Sequence, residues 1–204
     1  MLRFKPDRSI QKGFNIMELL VTLAVASVLL GVGVPAFRDL MDNSRMSAAS
    51  NELMSSLHLA RTEAIKRREN VIFCPSSNWN TANPTCNAAT DISDGWIVLT
   101  AVDNTVLLAH GPLNDQIDIK GADTADIIAG PKFVQFGANG FPTSTILGYQ
   151  GTFNFQLCDS RGNADTGGGV AAGRWIQITA TGRPQVYRTK AAVQSDANPT
   201  DGCS

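Results

Sequence analysis

Glu18 is the residue whose setting demands chemistry. Phe14-Asn-Ile-Met-Glu-Leu-Leu20 opens an apolar run that reaches Phe37, and Glu18 is the one charged residue in it, with no histidine. About 20 apolar residues span a bilayer, and a carboxylate inside such a stretch costs about 2.5 to 3.5 kcal/mol on insertion scales, so it needs a partner. The nearest cation available at that depth is an α-amino group on Phe14, created by cutting the chain after Gly13 and supplied by a neighbouring subunit of an assembly.

Two further groups of residues could do chemistry. Cys74, Cys86, Cys158 and Cys203 are an even set, which in an oxidising compartment reads as disulfides. Three pairings exist, and loop economy favours Cys74 with Cys86 and Cys158 with Cys203, each bond closing a segment rich in Asn, Asp, Gly and Pro. A zinc site is disfavoured, because there is no C-x-x-C and neither His58 nor His110 lies near a cysteine in sequence. The second group is Gly182-Arg183-Pro-Gln-Val-Tyr187-Arg188-Thr-Lys190, three cations beside an aromatic, which suits phosphates and a stacked base. Strand alternation would put Arg188 and Lys190 on one face. The alternative is a solvated hairpin whose Gly182 serves the turn, and exposed charges on strands are ordinary.

Other cues lead nowhere catalytic. Asp159-Ser-Arg161-Gly-Asn163-Ala-Asp165 resembles the start of a calcium loop, but Arg161 occupies a ligand slot and no glutamate completes it, so a turn is expected. Asp165-Thr-Gly-Gly-Gly-Val-Ala lacks the Gly-Lys-Ser/Thr of a phosphate loop. No Ser-His-Asp order, nucleophile elbow or metal cluster stands out, so no enzyme, cofactor or metal is expected. Arg61, Lys66, Arg67 and Arg68 gather where a helix should end and complement its dipole. With 17 Lys and Arg against 18 Asp and Glu in 204 residues, the chain is not a generally basic nucleic-acid binder.

The elements that position these residues follow from periodicity. Phe37, Leu40, Met41, Ala48, Ala49, Leu53, Leu57, Ala60, Ala64 and Ile65 recur at steps of three and four, which extends the helix from about residue 14 to 70 with one apolar stripe. Gly31, Gly33 and Pro35 lower helix propensity and remove one backbone hydrogen bond, so a kink or local melting is expected there. Short alternating runs then predict strands over 71–74, 95–100, 106–110, 132–136, 152–158, 174–179 and 184–188. Asp103-Asn104 and Ala180-Thr-Gly182 supply hairpin turns, giving an antiparallel sheet, or two small ones, over the second half of the helix.

Gly13-Phe14, Glu18, the apolar run and Pro35 together resemble the prepilin motif of type IV pilins and type II secretion pseudopilins. Asn15-Ile-Met stands where Thr-Leu-Ile is more usual. A secretory signal peptide is the competing reading, but its apolar region should be about 7 to 15 residues and end in a small-x-small site, which Gly31-Val-Gly-Val-Pro35 matches poorly. The resemblance implies cleavage between Gly13 and Phe14 by a prepilin peptidase, N-methylation of Phe14, and an assembly role for Glu18. It also implies a helix that serves as membrane anchor and filament core and loosens near Pro35. A leader over 1–13, a transmembrane half-helix over 14–36 and a domain over 37–204 follow.

Arg3, Lys5, Arg8 and Lys12 against Asp7 make the leader basic, and the positive-inside rule keeps it cytoplasmic with the domain in the bacterial periplasm. Asn51-Glu-Leu-Met-Ser-Ser-Leu-His-Leu-Ala-Arg-Thr-Glu-Ala, Phe73-Cys-Pro-Ser-Ser, Asp94-Gly-Trp-Ile-Val, Phe155-Gln-Leu-Cys-Asp and Ile178-Thr-Ala-Thr-Gly-Arg183 are similar to the FimT, FimU and GspH group of minor pilins and pseudopilins, over nearly the whole chain. That implies an α+β type IV pilin fold, low copy number and a place at the filament tip, with other major and minor pilins, the peptidase and the inner-membrane assembly platform as partners. The cysteine contexts favour the pilus side of the group over type II secretion. DNA-uptake members carry a Gly-Arg-x-Arg motif late in the chain. Here Gln185 replaces its second arginine, so DNA binding through Arg183, Arg188 and Lys190 is not the favoured reading.

Overall fold

The computed structural model describes residues 15–87, 90–123, 133–143, 152–200 and 202–203. Helix α1, Ile16–Arg67, is assigned unbroken through Gly31, Gly33 and Pro35. Asn15 caps it, its side-chain oxygen accepting from the Met17 N–H at 3.3 Å. At the other end Arg68 turns left-handed at φ 57° and the Glu69 N–H reaches back to Ala64 O at 3.3 Å, closing the last turn.

The chain divides into two compact units, Met1–Met41 and Asp42–Ser204. Burial along the helix begins late. Phe37, Leu40 and Met41 are exposed, as are Ala48 and Ile65, so these five do not belong to the packed stripe. Met46, Ala49, Ser50, Leu53, Ser56, Leu57, Ala60 and Ala64 form it instead. Two serines fit because their hydroxyls are used: Ser50 donates to Met46 O at 2.7 Å, and Ser56 accepts the Trp96 indole N–H at 2.9 Å.

Two antiparallel sheets follow. In the first, β1 (Val71–Pro75), β2 (Trp96–Thr100), β3 (Val106–His110), β5 (Val134–Phe136) and β6 (Pro142–Thr143) are ordered β3-β2-β1-β5-β6. In the second, β4 (Asp118–Asp123), β7 (Phe153–Cys158), β8 (Val170–Ile178) and β9 (Pro184–Thr189) are ordered β4-β7-β8-β9. One core joins both sheets to the helix stripe through residues such as Phe73, Trp96, Phe136, Phe155, Leu157 and Ile176. Phe73 meets Phe155 edge-on across it, with ring centroids 6.0 Å apart.

The outer face of each sheet is also covered, which is why β2 is buried at all five positions rather than at alternate ones. Ile72, Cys74, Ile97 and Leu99 lie under Trp79 and Cys86 of the segment closed by the Cys74 to Cys86 bond. Trp175 and Tyr187 stack at 4.4 Å beneath Val193 of the short helix α2, Lys190–Val193. The tail continues to Cys203, bonded to Cys158, and is held on the way by Asn198, which donates to Gln156 Oε1 at 3.0 Å and Val193 O at 2.7 Å. Each disulfide thus pins the cover of one sheet.

Candidate assembly surface

From Ile16 to Phe37 the helix is an apolar rod with one unanswered polar group among the described residues. From Ile16 to Leu40 every residue is exposed, and Leu19, Leu20, Leu23, Val28, Leu29 and Leu30 present more than half of their surface. By length and composition the stretch qualifies as a membrane span. Thr22 and Ser27 satisfy their hydroxyls on Leu19 O and Ala24 O, both at 2.8 Å. Glu18 makes no hydrogen bond or ion pair among the described residues. Gly13 and Phe14, the expected cleavage and methylation site, lie outside the described residues. A side chain added at Gly31 or Gly33 would meet nothing within 4 Å, so those glycines open the helix surface to an outside neighbour.

The three cations of the late hairpin do not form one row. Arg183 lies in the turn before β9, at the end of the domain where the helix closes. There the Arg61 guanidinium donates to Gly140 O and Thr181 O, each at 3.2 Å, tying a turn of either sheet to the helix. Gly182 is required at that point: its φ is 77°, and a Cβ would collide with the Gly140 carbonyl. Arg188 lies five residues along β9, about 17 Å away at strand rise. Alternation was expected to pair Arg188 with Lys190, but β9 stops at Thr189 and Lys190 begins α2. Tyr187 has one ring face occupied by Trp175 and its hydroxyl donates to Gln185 Oε1 at 3.0 Å. The remaining cue resolves as a turn. Asp159 is held by Arg161 at 2.6 and 3.0 Å, and Gly162 N–H bonds Asp159 O. Among the described residues no cluster of His, Cys, Asp or Glu suits a metal.

Sequence reasoning missed Arg174. It is 4% exposed, and its Nη1 donates to the carbonyls of Ala171, Ala172 and Gly173. The signal is visible only in register: β8 takes five steps from Val170 to Trp175 while β9 takes two from Thr189 to Tyr187, so the extra loop of β8 wraps a guanidinium that replaces lost ladder donors.

A family described as Type II transport protein GspH matches residues 49–182, from the packed helix stripe to the Gly182 turn. The chain belongs to the GspH family. This family is one of structural minor pilins and pseudopilins, not enzymes, whose members work with other pilins in pilus or secretion assemblies. A curated relative, the fimbrial protein EcpC of Eikenella corrodens, is 36% identical over 44 residues, covering 22% of this chain and 29% of that protein. The match thus spans under a third of the relative's length. Among solved structures, the type IV minor pilin FimU of Pseudomonas aeruginosa is similar at 20% identity and TM-score 0.49, covering 72% of this chain and 92% of that one. The minor pseudopilin EpsH of the Vibrio cholerae type 2 secretion system is similar at 8% identity and TM-score 0.45, covering 71% and 97%.

Proposed function

We propose that this GspH-family chain is a minor pilin of a type IV pilus that primes assembly and sits at or near the filament tip. Its apolar helix waits in the inner membrane, with the domain in the periplasm, and is then drawn into the filament core. The observation that carries this reading is Glu18: among the described residues it is unpartnered, within an apolar stretch whose two hydroxyls, on Thr22 and Ser27, are satisfied. A lone carboxylate in an apolar setting is stabilised by a cation brought by a neighbour. The Phe14 ammonium, released by prepilin peptidase cleavage after Gly13 and then methylated, has the charge and the position for it. Loosening around Gly31, Gly33 and Pro35 would let the helix adapt to neighbours as it packs.

The experiment is mass spectrometry of sheared filaments at native expression. An N-terminal peptide beginning at methylated Phe14, at low copy relative to the major subunit, is expected. Confinement of the chain to the membrane fraction with its leader uncut would overturn the reading. The family's association with type II transport favours one second reading, a pseudopilin of a type II secretion system. A deletion strain separates them: lost pili with intact secretion supports the pilin, and lost secretion with intact pili supports the pseudopilin.

A further inference from the structure

The end of the second sheet where the domain begins holds a buried cation, Arg174, that forms no salt bridge among the described residues. Ile176 and Val186 pair across β8 and β9 and both belong to the helix-facing core. The two-residue period therefore puts Arg174 and Arg188 on that same side, one step further along. Leu157, directly opposite Arg174 on β7, is core as well. Among the described residues Arg174, which is buried, bonds only to neutral carbonyls, and its Nε has no hydrogen-bond partner. Arg188 is exposed and makes no hydrogen bond or ion pair among the described residues. The nearby acid, Asp159, is consumed by Arg161, whose Nη1 also donates to Asn43 at 2.9 Å.

This arrangement is costly as it stands. Burial pushes the Arg174 pKa down, Arg188 and Arg161 push it the same way, and Asp159 only partly offsets them. A buried charge without a partner is rare unless something supplies the opposite charge.

Position narrows what that is. Asn43 is six residues beyond Phe37, the end of the apolar run, so even a fully extended chain keeps it within about 20 Å of that end. We propose that Arg174 and Arg188 form a binding site for the phosphate of an anionic phospholipid headgroup, which neutralises this end of the second sheet while the chain waits in the membrane. Arg188 meets the phosphate directly, and Arg174 lends charge from behind it. The site rests on the membrane reading of the helix given above.

The test uses the full chain. Flotation with neutral phosphatidylcholine vesicles reads the anchor alone, and failure to float there would sink the membrane reading rather than the site. Native mass spectrometry from detergent mixed with equal phosphatidylglycerol and phosphatidylcholine then reads the site. Preferential retention of phosphatidylglycerol is expected. Arg188→Ala should reduce that preference about fivefold, the equivalent of about 1 kcal/mol per surface cation. Arg183→Ala removes the same charge at the opposite end and should leave it unchanged. Glycerol phosphate without acyl chains should compete only weakly; full displacement by it would mean a soluble phosphate ligand and overturn the lipid assignment. Equal retention of both lipids, or equal effects of Arg188→Ala and Arg183→Ala, would overturn the site. Duplex DNA binding that disappears in Arg188→Ala without any lipid preference would overturn it in favour of nucleic acid.

Discussion

Breaking each disulfide should cost a different amount, and the sizes can be worked out. The Cys74 to Cys86 bond closes a separation of 12 residues and the Cys158 to Cys203 bond one of 45. Loop-closure entropy in the unfolded chain then predicts about 2.8 kcal/mol for the first and about 4.0 kcal/mol for the second. Folded-state contacts do not reverse this order, because Asn198 and Val193 keep the tail on the sheet after the bond is cut and only the last few residues fray. Cys203→Ser should therefore destabilise the Asp42–Ser204 unit by about 1.2 kcal/mol more than Cys86→Ser. With a urea slope of about 2 kcal/mol/M, the midpoints should differ by about 0.6 M. Urea melts followed by tryptophan fluorescence measure this, after non-reducing peptide mapping has verified the pairing. Equal midpoints, or a lower one for Cys86→Ser, would refute the loop-length reasoning, and crossed pairs in the map would refute its premise.

Three further outcomes are expected. Gly13→Val should accumulate uncut precursor by mass spectrometry, because a side chain there keeps the peptidase from the backbone. Gly182→Ala should lower stability by at least about 1 kcal/mol in the same melts, since left-handed backbone strain adds to the collision with the Gly140 carbonyl. The Asp42–Ser204 unit should bind duplex DNA only at the non-specific level of about 10⁻⁴ to 10⁻⁶ M at physiological salt, because Arg183 lies in the turn before β9 and Arg188 near the strand's far end. A sub-micromolar, salt-sensitive affinity in a fluorescence titration, lost in Arg183→Ala and strengthened by Gln185→Arg, would contradict that.

The parts of the fold legible in the sequence were those where one physical signal acts alone. Leu53, Leu57, Ala60 and Ala64 read as a packed stripe because one face of the helix is buried. Phe37, Leu40 and Met41 carried the same period yet stay exposed, since periodicity cannot say where a partner surface begins. Strands of Val, Ile and Phe were visible, whereas β4 reads Asp-Ile-Lys-Gly-Ala-Asp and carries almost no strand signal; its pairing comes from β7 beside it. Cation placement failed for a related reason: counting by twos past Thr189 assumes a strand that has become a helix. Arg174 was invisible because its burial depends on a register shift between two strands, which no local pattern encodes. The isolation of Glu18 in its apolar run is a plain feature of the sequence, and its expense there is what motivates the assembly role proposed for it.

The central claim is that Glu18 serves assembly rather than insertion, and Glu18→Ala at native expression tests it most directly. Membrane and sheared-filament fractions are quantified by mass spectrometry in the same culture. The chain should remain at normal level in the membrane, where loss of a carboxylate favours insertion by about 2.5 to 3.5 kcal/mol, and fall sharply in the filament fraction. Normal incorporation of the Glu18→Ala chain into filaments would contradict the claim.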